Sequence, residues 1–233
     1  MTDARTQLIE HISAGAVFHG DFTLTSGKKA TYYVDLRKVS LDHRVAPLIG
    51  AVMLDLIADV PDVSAVGGMT MGADPVAAAV LHQGAARRLA LDAFVVRKEP
   101  KDHGRGRQVE GPDLEGKRVI VLEDTSTTGG SPLKAIEALL KVGAVIAGVA
   151  VVVDRATGAK EIIEAAGYPY YSAIGLAVRS APPAAHASRA SGEKIAQRPT
   201  GNCMSTIAAR PPGRSTARTH PHAASWSPKM LIA

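Results

Sequence analysis

The fold is decided by residues 118–154, which read RVIVLEDTSTTGGSPLKAIEALLKVGAVIAGVAVVVD. The all-apolar run 119–122 is typical of a central parallel strand, because such a strand is buried on both faces. The apolar run 149–153 predicts a strand that returns beside it. Between the runs, leucines and isoleucines recur at helical spacing, with Ser131 expected as the N-cap and Pro132 at the first helical position. We therefore predict a strand–helix–strand unit whose first loop lies where ligands of open α/β sheets bind.

The same alternation of helical and strand patterns extends over residues 1–177. It indicates an α/β domain with a largely parallel sheet. The polar segment 98–116 is predicted as a long loop, and a functional lid is the usual reason for such a loop inside a compact domain. Upstream of residue 118, the patterns predict helices over 6–13, 43–58 and 75–83, strand-like pieces within 22–35, and strands over 63–66 and 93–97.

The charge balance changes after residue 177. Residues 1–177 contain 19 Lys and Arg against 21 Asp and Glu, whereas residues 178–233 contain 8 against 1. The last part also holds half of the 14 prolines and shows neither a helical nor a strand period, so it cannot bury enough apolar surface to offset chain entropy. We predict one domain over 1–177 and a basic, disordered tail over 178–233. Our hypothesis is that this Ala/Pro/Arg/Ser-rich tail is an out-of-frame extension.

Composition argues against several classes of protein. The single cysteine, Cys203, cannot form an internal disulfide or a cysteine-rich zinc site, which fits a reducing, cytoplasmic setting. No segment has the ~20 continuous apolar residues that a membrane helix needs, so we expect no membrane partner. The basic tail has one aromatic residue and no helical stripe of basic residues, so we expect no specific nucleic-acid partner.

The loop at 123–131 has the composition of a site for a phosphorylated sugar. Its two glycines let backbone N–H groups close on a phosphate, and the helix start adds partial positive charge. Glu123 and Asp124 would repel a phosphate, so we expect them to face ribose hydroxyls or the hydration shell of Mg²⁺. The alternative is an ordinary capped turn with incidental acids, since hydroxyl-rich turns are common.

A second polar cluster is cationic. The loop after the predicted strand 93–97 carries a run of positive side chains, namely Arg97, Lys98, Lys101, His103, Arg105 and Arg107. One reading is a solvated charged loop. The other is a lid that closes over a leaving pyrophosphate, where positive charge stabilises the negative charge that develops in the transition state.

Three stretches carry a resemblance to a known family. Residues 121–131 (VLEDTSTTGGS) resemble the motif with which type I phosphoribosyltransferases bind 5-phosphoribosyl 1-diphosphate (PRPP). Residues 97–104 (RKEPKDHG) resemble the catalytic loop of the orotate phosphoribosyltransferases, and residues 22–35 (FTLTSGKKATYYVD) resemble their N-terminal segment on the orotate side. The order and spacing agree with that family from about residue 5 to residue 177.

The resemblance implies a fold, a reaction and partners. The fold is the type I phosphoribosyltransferase fold, a mostly parallel central sheet flanked by helices, with a small N-terminal hood and a mobile catalytic loop. The reaction joins orotate to the phosphoribosyl group of PRPP, giving orotidine 5′-monophosphate and pyrophosphate. The resemblance also implies Mg²⁺, bound mainly through PRPP and water without a dedicated protein site. It further implies a homodimer in which the catalytic loop reaches the neighbouring subunit's site.

The resemblance also assigns roles to residues. Lys101 and His103 are the expected catalytic residues. Together with Arg97 they are expected to bind the pyrophosphate, and Lys98 is expected to contribute across the dimer interface. Thr127 and Arg155 are expected to contact orotate, since the guanidinium fork of an arginine pairs with a carboxylate in a bidentate way. The ribose 5-phosphate is expected to lie against Glu123, Asp124, Thr125, Ser126, Thr127, Thr128, Gly129, Gly130 and Ser131.

Some points stay open on the sequence alone. Of Tyr32 and Tyr33, one is expected to pack and the other to contact the site, without a choice between them. In some relatives a lysine stands at the position of Thr25, and a Tyr-Lys pair stands at Thr70-Met71. Two other functions stay open, namely a phosphoribosyltransferase for another base and a regulator that senses PRPP.

Overall fold

Helices and strands alternate along the chain as the sequence predicts. A computed structural model describes residues 3–23, 29–99 and 107–175. The helices are α1 (Ala4–Gly15), α2 (Arg37–Ser40), α3 (Ala46–Leu56), α4 (Ala73–Ala86), α5 (Gly130–Lys141) and α6 (Ala159–Ala165). The strands are β1 (Val17–Thr23), β2 (Lys29–Val34), β3 (Val63–Met69), β4 (Asp92–Val96), β5 (Val109–Glu110), β6 (Arg118–Ser126), β7 (Val145–Asp154) and β8 (Tyr170–Gly175). Lys101, His103, Thr25 and the predicted tail lie outside the described residues.

The main sheet has the strand order β5-β4-β3-β6-β7-β8. The pairs β3–β4, β3–β6, β6–β7 and β7–β8 are parallel, and only β5 runs antiparallel to its neighbour. After β3 the chain moves outward to β4 and then returns to place β6 on the other side of β3, so a topological switch point lies between β3 and β6. The antiparallel pair β1–β2 forms a separate small sheet. These features confirm the predicted α/β fold.

The core lies on both faces of the main sheet. Along β6, Ile120 and Leu122 pack into the cluster that includes residues of α1, α3 and α4. Val119 and Val121 point to the opposite face and pack with residues of α5. A parallel strand covered by helices on both faces has to be apolar at successive positions, which explains the unbroken run 119–122.

The start of α5 differs from the prediction. Ser131 was expected as the N-cap, and this is wrong, because α5 begins at Gly130 and the residue before it is Gly129. The backbone of Gly129 has a φ of 72°, a left-handed conformation that costs little only for glycine. An added Cβ there would also lie 3.2 Å from Ile163 of α6. The turn therefore depends on the glycine and comes two residues earlier than the hydroxyl pattern indicated.

Other differences concern the extent of elements. The strand predicted over 119–122 runs on through Ser126, so four of the nine loop residues at 123–131 belong to β6. The predicted loop 98–116 contains the short strand β5. No helix in the described part of the chain is long and apolar enough to cross a membrane.

We expect Ile120→Ala to lower the free energy of unfolding by about 2–5 kcal/mol, because Ile120 is fully buried and the truncation leaves a cavity between β6 and the helices. Ile162→Ala is the matched control, since Ile162 is 45% exposed on α6. Urea denaturation of both variants checks this. Equal destabilisation by the two substitutions would show that β6 is not the centre of the core.

Candidate active site

The loops with predicted functions open at one edge of the main sheet. Because β3, β4, β6 and β7 are parallel, their carboxyl ends lie at the same edge, and each is followed there by a loop. The β3 loop is tied to β4, since the amide of Thr70 donates a hydrogen bond to the carbonyl of Val96 at 2.8 Å. In open α/β sheets this edge, at the switch point, is where ligands bind.

The β6 loop encloses a small polar cavity of about 40 Å³. Its walls combine hydroxyl-bearing residues with the glycine-rich turn that starts α5, a combination that is suited to binding an anion. The walls are formed by Glu123, Thr125, Ser126, Thr127, Thr128, Gly129, Gly130, Ser131 and Pro132. All of these except Pro132 are residues that the resemblance assigns to the ribose 5-phosphate.

Asp124 points toward the β3 loop instead of into this cavity. Its Oδ1 accepts a hydrogen bond from the amide of Thr125 at 2.7 Å. A Cβ added at Gly72 would lie only 2.6 Å from that oxygen, so the loop and the carboxylate are in close contact. The glycine is needed here for space, because its φ of −68° is available to any residue. Asp124 therefore lies across the switch point between β3 and β6.

Glu123 is a buried carboxyl group, with 9% of its surface exposed. Burial, and then the neighbouring Asp124, raise the pKa of Glu123 to about 9. The side chain is therefore protonated at pH 7 and carries no charge toward the cavity. A neutral Glu123 removes the repulsion that its carboxylate would exert on a phosphate in the cavity.

Unpaired polar atoms gather at this edge. Buried polar atoms in proteins normally have a hydrogen-bond partner. In the part of the chain that the structure describes, five buried side-chain atoms have none, and only that of Ser40 lies elsewhere. The other four are Asp74 Oδ1, Glu123 Oε2, Thr125 Oγ1 and Arg155 Nε. Such a concentration of free donors and acceptors is typical of a ligand site.

Arg155 lies directly after β7 with 6% of its surface exposed. Its guanidinium carbon is 5.0 Å from the centre of the Tyr32 ring, which places the β1–β2 hood over the edge of the main sheet. Such a contact holds the cation without using its N–H donors. Tyr33 instead packs on Phe22, with 5.8 Å between ring centres. The tyrosine that contacts the site is therefore Tyr32.

Sequence reasoning missed several polar residues beneath the loops. The hydroxyl of Ser126, which was assigned to the phosphate, is buried and donates to Asp154 at 3.0 Å. It also lies 2.7 Å from the hydroxyl of Tyr170. The hydroxyl of Thr157 donates to the carbonyl of Thr127 at 2.5 Å. Asp154 comes at the end of an apolar run, as Asp124 does. This placement is the one feature of the sequence that could have indicated a functional role for Asp154.

The cationic loop leaves the sheet and returns to it at one point. The amide of Arg97 donates to the carbonyl of Gln108 at 2.8 Å, and the side-chain amide of Gln108 donates back to the carbonyl of Arg97 at 3.1 Å. Arg97 and Lys98 are exposed. The ends of the segment are thus fixed beside the β3 loop, while Lys101 and His103 lie outside the described residues.

The described ranges contain no group of three or more His, Cys, Asp or Glu side chains that can hold a metal ion. The acidic groups at the site are Asp124 beside the β3 loop, the buried Glu123 and the half-buried Asp74. Mg²⁺ commonly binds through one or two carboxylates together with substrate phosphates and water. This donor set suits an ion that arrives with a phosphorylated substrate.

Comparison with known proteins identifies similar chains. Residues 75–166 match the phosphoribosyl transferase domain family. The orotate phosphoribosyltransferase of Streptomyces avermitilis is 62% identical over 171 residues, covering 73% of this chain and 93% of the relative. That of Tropheryma whipplei is 55% identical over 170 residues, covering 73% of this chain and 79% of the relative. A crystal structure of Mycobacterium tuberculosis orotate phosphoribosyltransferase in complex with PRPP is 48% identical, with a TM-score of 0.65, and the match covers 75% of this chain and 98% of that chain.

The raised pKa of Glu123 predicts a dependence of stability on pH. A carboxyl group whose pKa rises on folding, here from 4.5 to about 9, stabilises the fold fully below pH 4.5 and loses that contribution as the pH rises toward 9. We expect Glu123→Gln, which keeps the neutral shape, to abolish this loss. Melting temperatures between pH 6 and pH 9 check this, and an equal decline in both proteins would show that Glu123 is ionised at neutral pH.

Proposed function

This chain belongs to the orotate phosphoribosyltransferase family, and we propose that the carboxyl edge of its sheet is the active site for the reaction of that family. The chain transfers the 5-phosphoribosyl group of PRPP to orotate, giving orotidine 5′-monophosphate and pyrophosphate in pyrimidine biosynthesis. The proposal concerns which residues bind the two substrates and how they favour the transfer.

The observation that carries the proposal is the buried, unpaired Nε donor of Arg155. The backbone amide of Arg155 donates to the carbonyl of Ser126 at 3.4 Å, and Ser126 is one of the residues that line the polar cavity. Orotate carries a carboxylate, and a guanidinium group offers it a planar pair of N–H donors. Tyr32 holds that guanidinium from one side. Thr127, at the rim of the β6 loop, is the second group that we assign to orotate.

We assign the β6 loop to the ribose 5-phosphate of PRPP. The amides of Gly129 and Gly130 and the hydroxyls of Thr128 and Ser131 are the donors for the phosphate. Asp124 is the acceptor for the ribose hydroxyls, because a carboxylate facing away from the phosphate cavity does not repel the phosphate. Neutral Glu123 and its neighbour Thr125 line the inner wall.

The transfer needs no side-chain nucleophile. Bond breaking at the anomeric carbon leads bond making, so positive charge develops on the ribose ring and negative charge on the pyrophosphate. Arg97, Lys98, Lys101 and His103 are assigned to that negative charge, which is where electrostatic stabilisation lowers the barrier. The nitrogen of the orotate anion attacks directly, and closure of the loop excludes water that would hydrolyse PRPP.

Mg²⁺ fits this arrangement as an ion that PRPP brings with it. Asp124 is the residue that would hold it, directly or through water, because its carboxyl oxygens lie beside the β3 loop at the switch point. When bound, the ion neutralises charge on the pyrophosphate group.

Three further expectations belong to the same proposal. The protein acts as a homodimer in which Lys98 and the rest of the cationic loop serve the neighbouring subunit. It works in the cytoplasm, in keeping with its single cysteine. Residues 1–177 form the catalytic domain, and residues 178–233 are a basic tail rich in Ala, Pro, Arg and Ser.

We expect the purified protein to consume orotate in the presence of Mg²⁺ and PRPP. The loss of orotate absorbance measures this turnover.

Arg155→Gln should raise the KM for orotate at least about ten-fold, because a hydrogen-bonded charge pair contributes about 1.5–3 kcal/mol. The affinity for PRPP should stay near that of the parent protein. Arg87→Gln is the control, since Arg87 pairs with Asp55 on the surface. Turnover of uracil or hypoxanthine, but not orotate, would contradict the proposal.

Sharing of the loop between subunits is tested with two impaired variants, assayed at an orotate concentration far below the parent KM, where Arg155→Gln keeps about a tenth or less of the parent activity. Lys101→Ala should depress turnover far more than PRPP binding, because its contact strengthens in the transition state. When Lys101→Ala is refolded together with Arg155→Gln, a hybrid dimer with a shared loop contains one intact site. Random mixing should then restore roughly a quarter of the parent activity, since half of the dimers are hybrids with one intact site of two. A loop that serves its own subunit would leave only the residual activity of the two variants.

A further inference from the structure

Two hydrogen bonds tie the β6 loop to the β7 loop on either side of Arg155. The hydroxyl of Ser126 donates to Asp154 Oδ1 at 3.0 Å. The hydroxyl of Thr157 donates to the carbonyl of Thr127 at 2.5 Å. Arg155 lies between Asp154 and Thr157, and its own amide donates to the carbonyl of Ser126 at 3.4 Å, so three hydrogen bonds hold this part of the chain beside β6 and its loop.

The first of these bonds belongs to a directed chain. The carboxylate of Asp154 only accepts, and its Oδ1 takes both the Ser126 hydroxyl and, at 2.9 Å, the amide of Ala156. The Ser126 oxygen is therefore left to accept from Tyr170, whose hydroxyl lies 2.7 Å away. Burial raises the pKa of Tyr170 to about 12, so this hydroxyl keeps its proton at neutral pH. The hydroxyls of Tyr170 and Ser126 each donate in one direction, from Tyr170 to Ser126 and from Ser126 to Asp154.

We propose that Asp154 and Thr157 are positioning residues, which hold Arg155 at a fixed place relative to the β6 loop and so align orotate with PRPP. The inference rests on the proposed function, in which Arg155 binds orotate and the β6 loop binds the ribose 5-phosphate. Asp154 and Thr157 act only through Arg155, Ser126 and Thr127. Alignment matters because a displacement of about 1 Å in reacting groups can cost about 100-fold in rate.

A positioning role and a purely structural role predict different effects on the binding of PRPP and on the kinetics with orotate. The β6 loop binds PRPP with its own amides and hydroxyls, so loss of a tie should leave binding of PRPP alone nearly unchanged. Orotate depends on the place of Arg155 relative to bound PRPP, so loss of a tie should raise the KM for orotate and lower kcat. A general loosening of the fold would instead weaken both substrates and lower the melting temperature.

The test uses Thr157, because its side chain is exposed and its replacement leaves the core intact. Thr157→Val removes the donor, and Thr157→Ser keeps it. We expect Thr157→Val to lower kcat/KM for orotate about five-fold or more, the usual effect of one lost hydrogen bond. The dissociation constant for PRPP alone, measured by calorimetry, should stay within about two-fold, and Thr157→Ser should match the parent protein.

A second variant tests the hydrogen-bond chain that runs from Tyr170 through Ser126 to Asp154. Tyr170→Phe removes the donor that fixes the Ser126 hydroxyl, and Tyr171→Phe is the matched control on the same strand. The KM for orotate should rise in Tyr170→Phe only. Equal kinetics for Thr157→Val and Thr157→Ser, or an equal loss of PRPP and orotate affinity, would overturn the positioning role. If Arg155→Gln itself leaves the KM for orotate unchanged, the assignment of Arg155 fails instead.

Discussion

The site depends on the parallel pairing of β6 with β3 on one side and β7 on the other. Parallel pairing brings the carboxyl ends of all three strands to one edge, and burial on both faces makes β6 a rigid support for the loop that follows it. The chain can therefore gather polar groups from loops that are far apart in sequence. Gly72, Asp124 and Arg155 meet at the same edge for this reason.

The same burial creates the chemistry of the site. Glu123 belongs to the strand, so its carboxyl group is buried and stays protonated at neutral pH. Asp124, one residue later, turns to the β3 loop and contacts Gly72. Two adjacent acids that look equivalent in the sequence thus differ in burial and in their neighbours. The phosphate cavity has little negative charge as a result.

Family membership and fold could be predicted from short segments. The apolar run 119–122 and the acid–hydroxyl–glycine loop after it are local patterns, and the structure and the comparisons confirm the fold and the family that they predicted. The predicted start of α5 is wrong. Serine is a favourable N-cap residue, so the sequence favours Ser131, whereas the turn before the helix needs the φ of 72° that Gly129 adopts. The roles assigned to Lys101 and His103 stay predictions.

The sequence by itself determined the α/β class, the strand–helix–strand unit over residues 118–154, the family, and which residue types surround the β6 loop, because these follow from local periodicity and from contiguous motifs. Only the tertiary structure decided that Tyr32 rather than Tyr33 lies over Arg155, and that Ser126 bonds to Asp154 and Thr157 to Thr127. These contacts join residues about 30 to 120 positions apart. No local pattern encodes them, because they arise only when the strands pair and bring their loops to one edge.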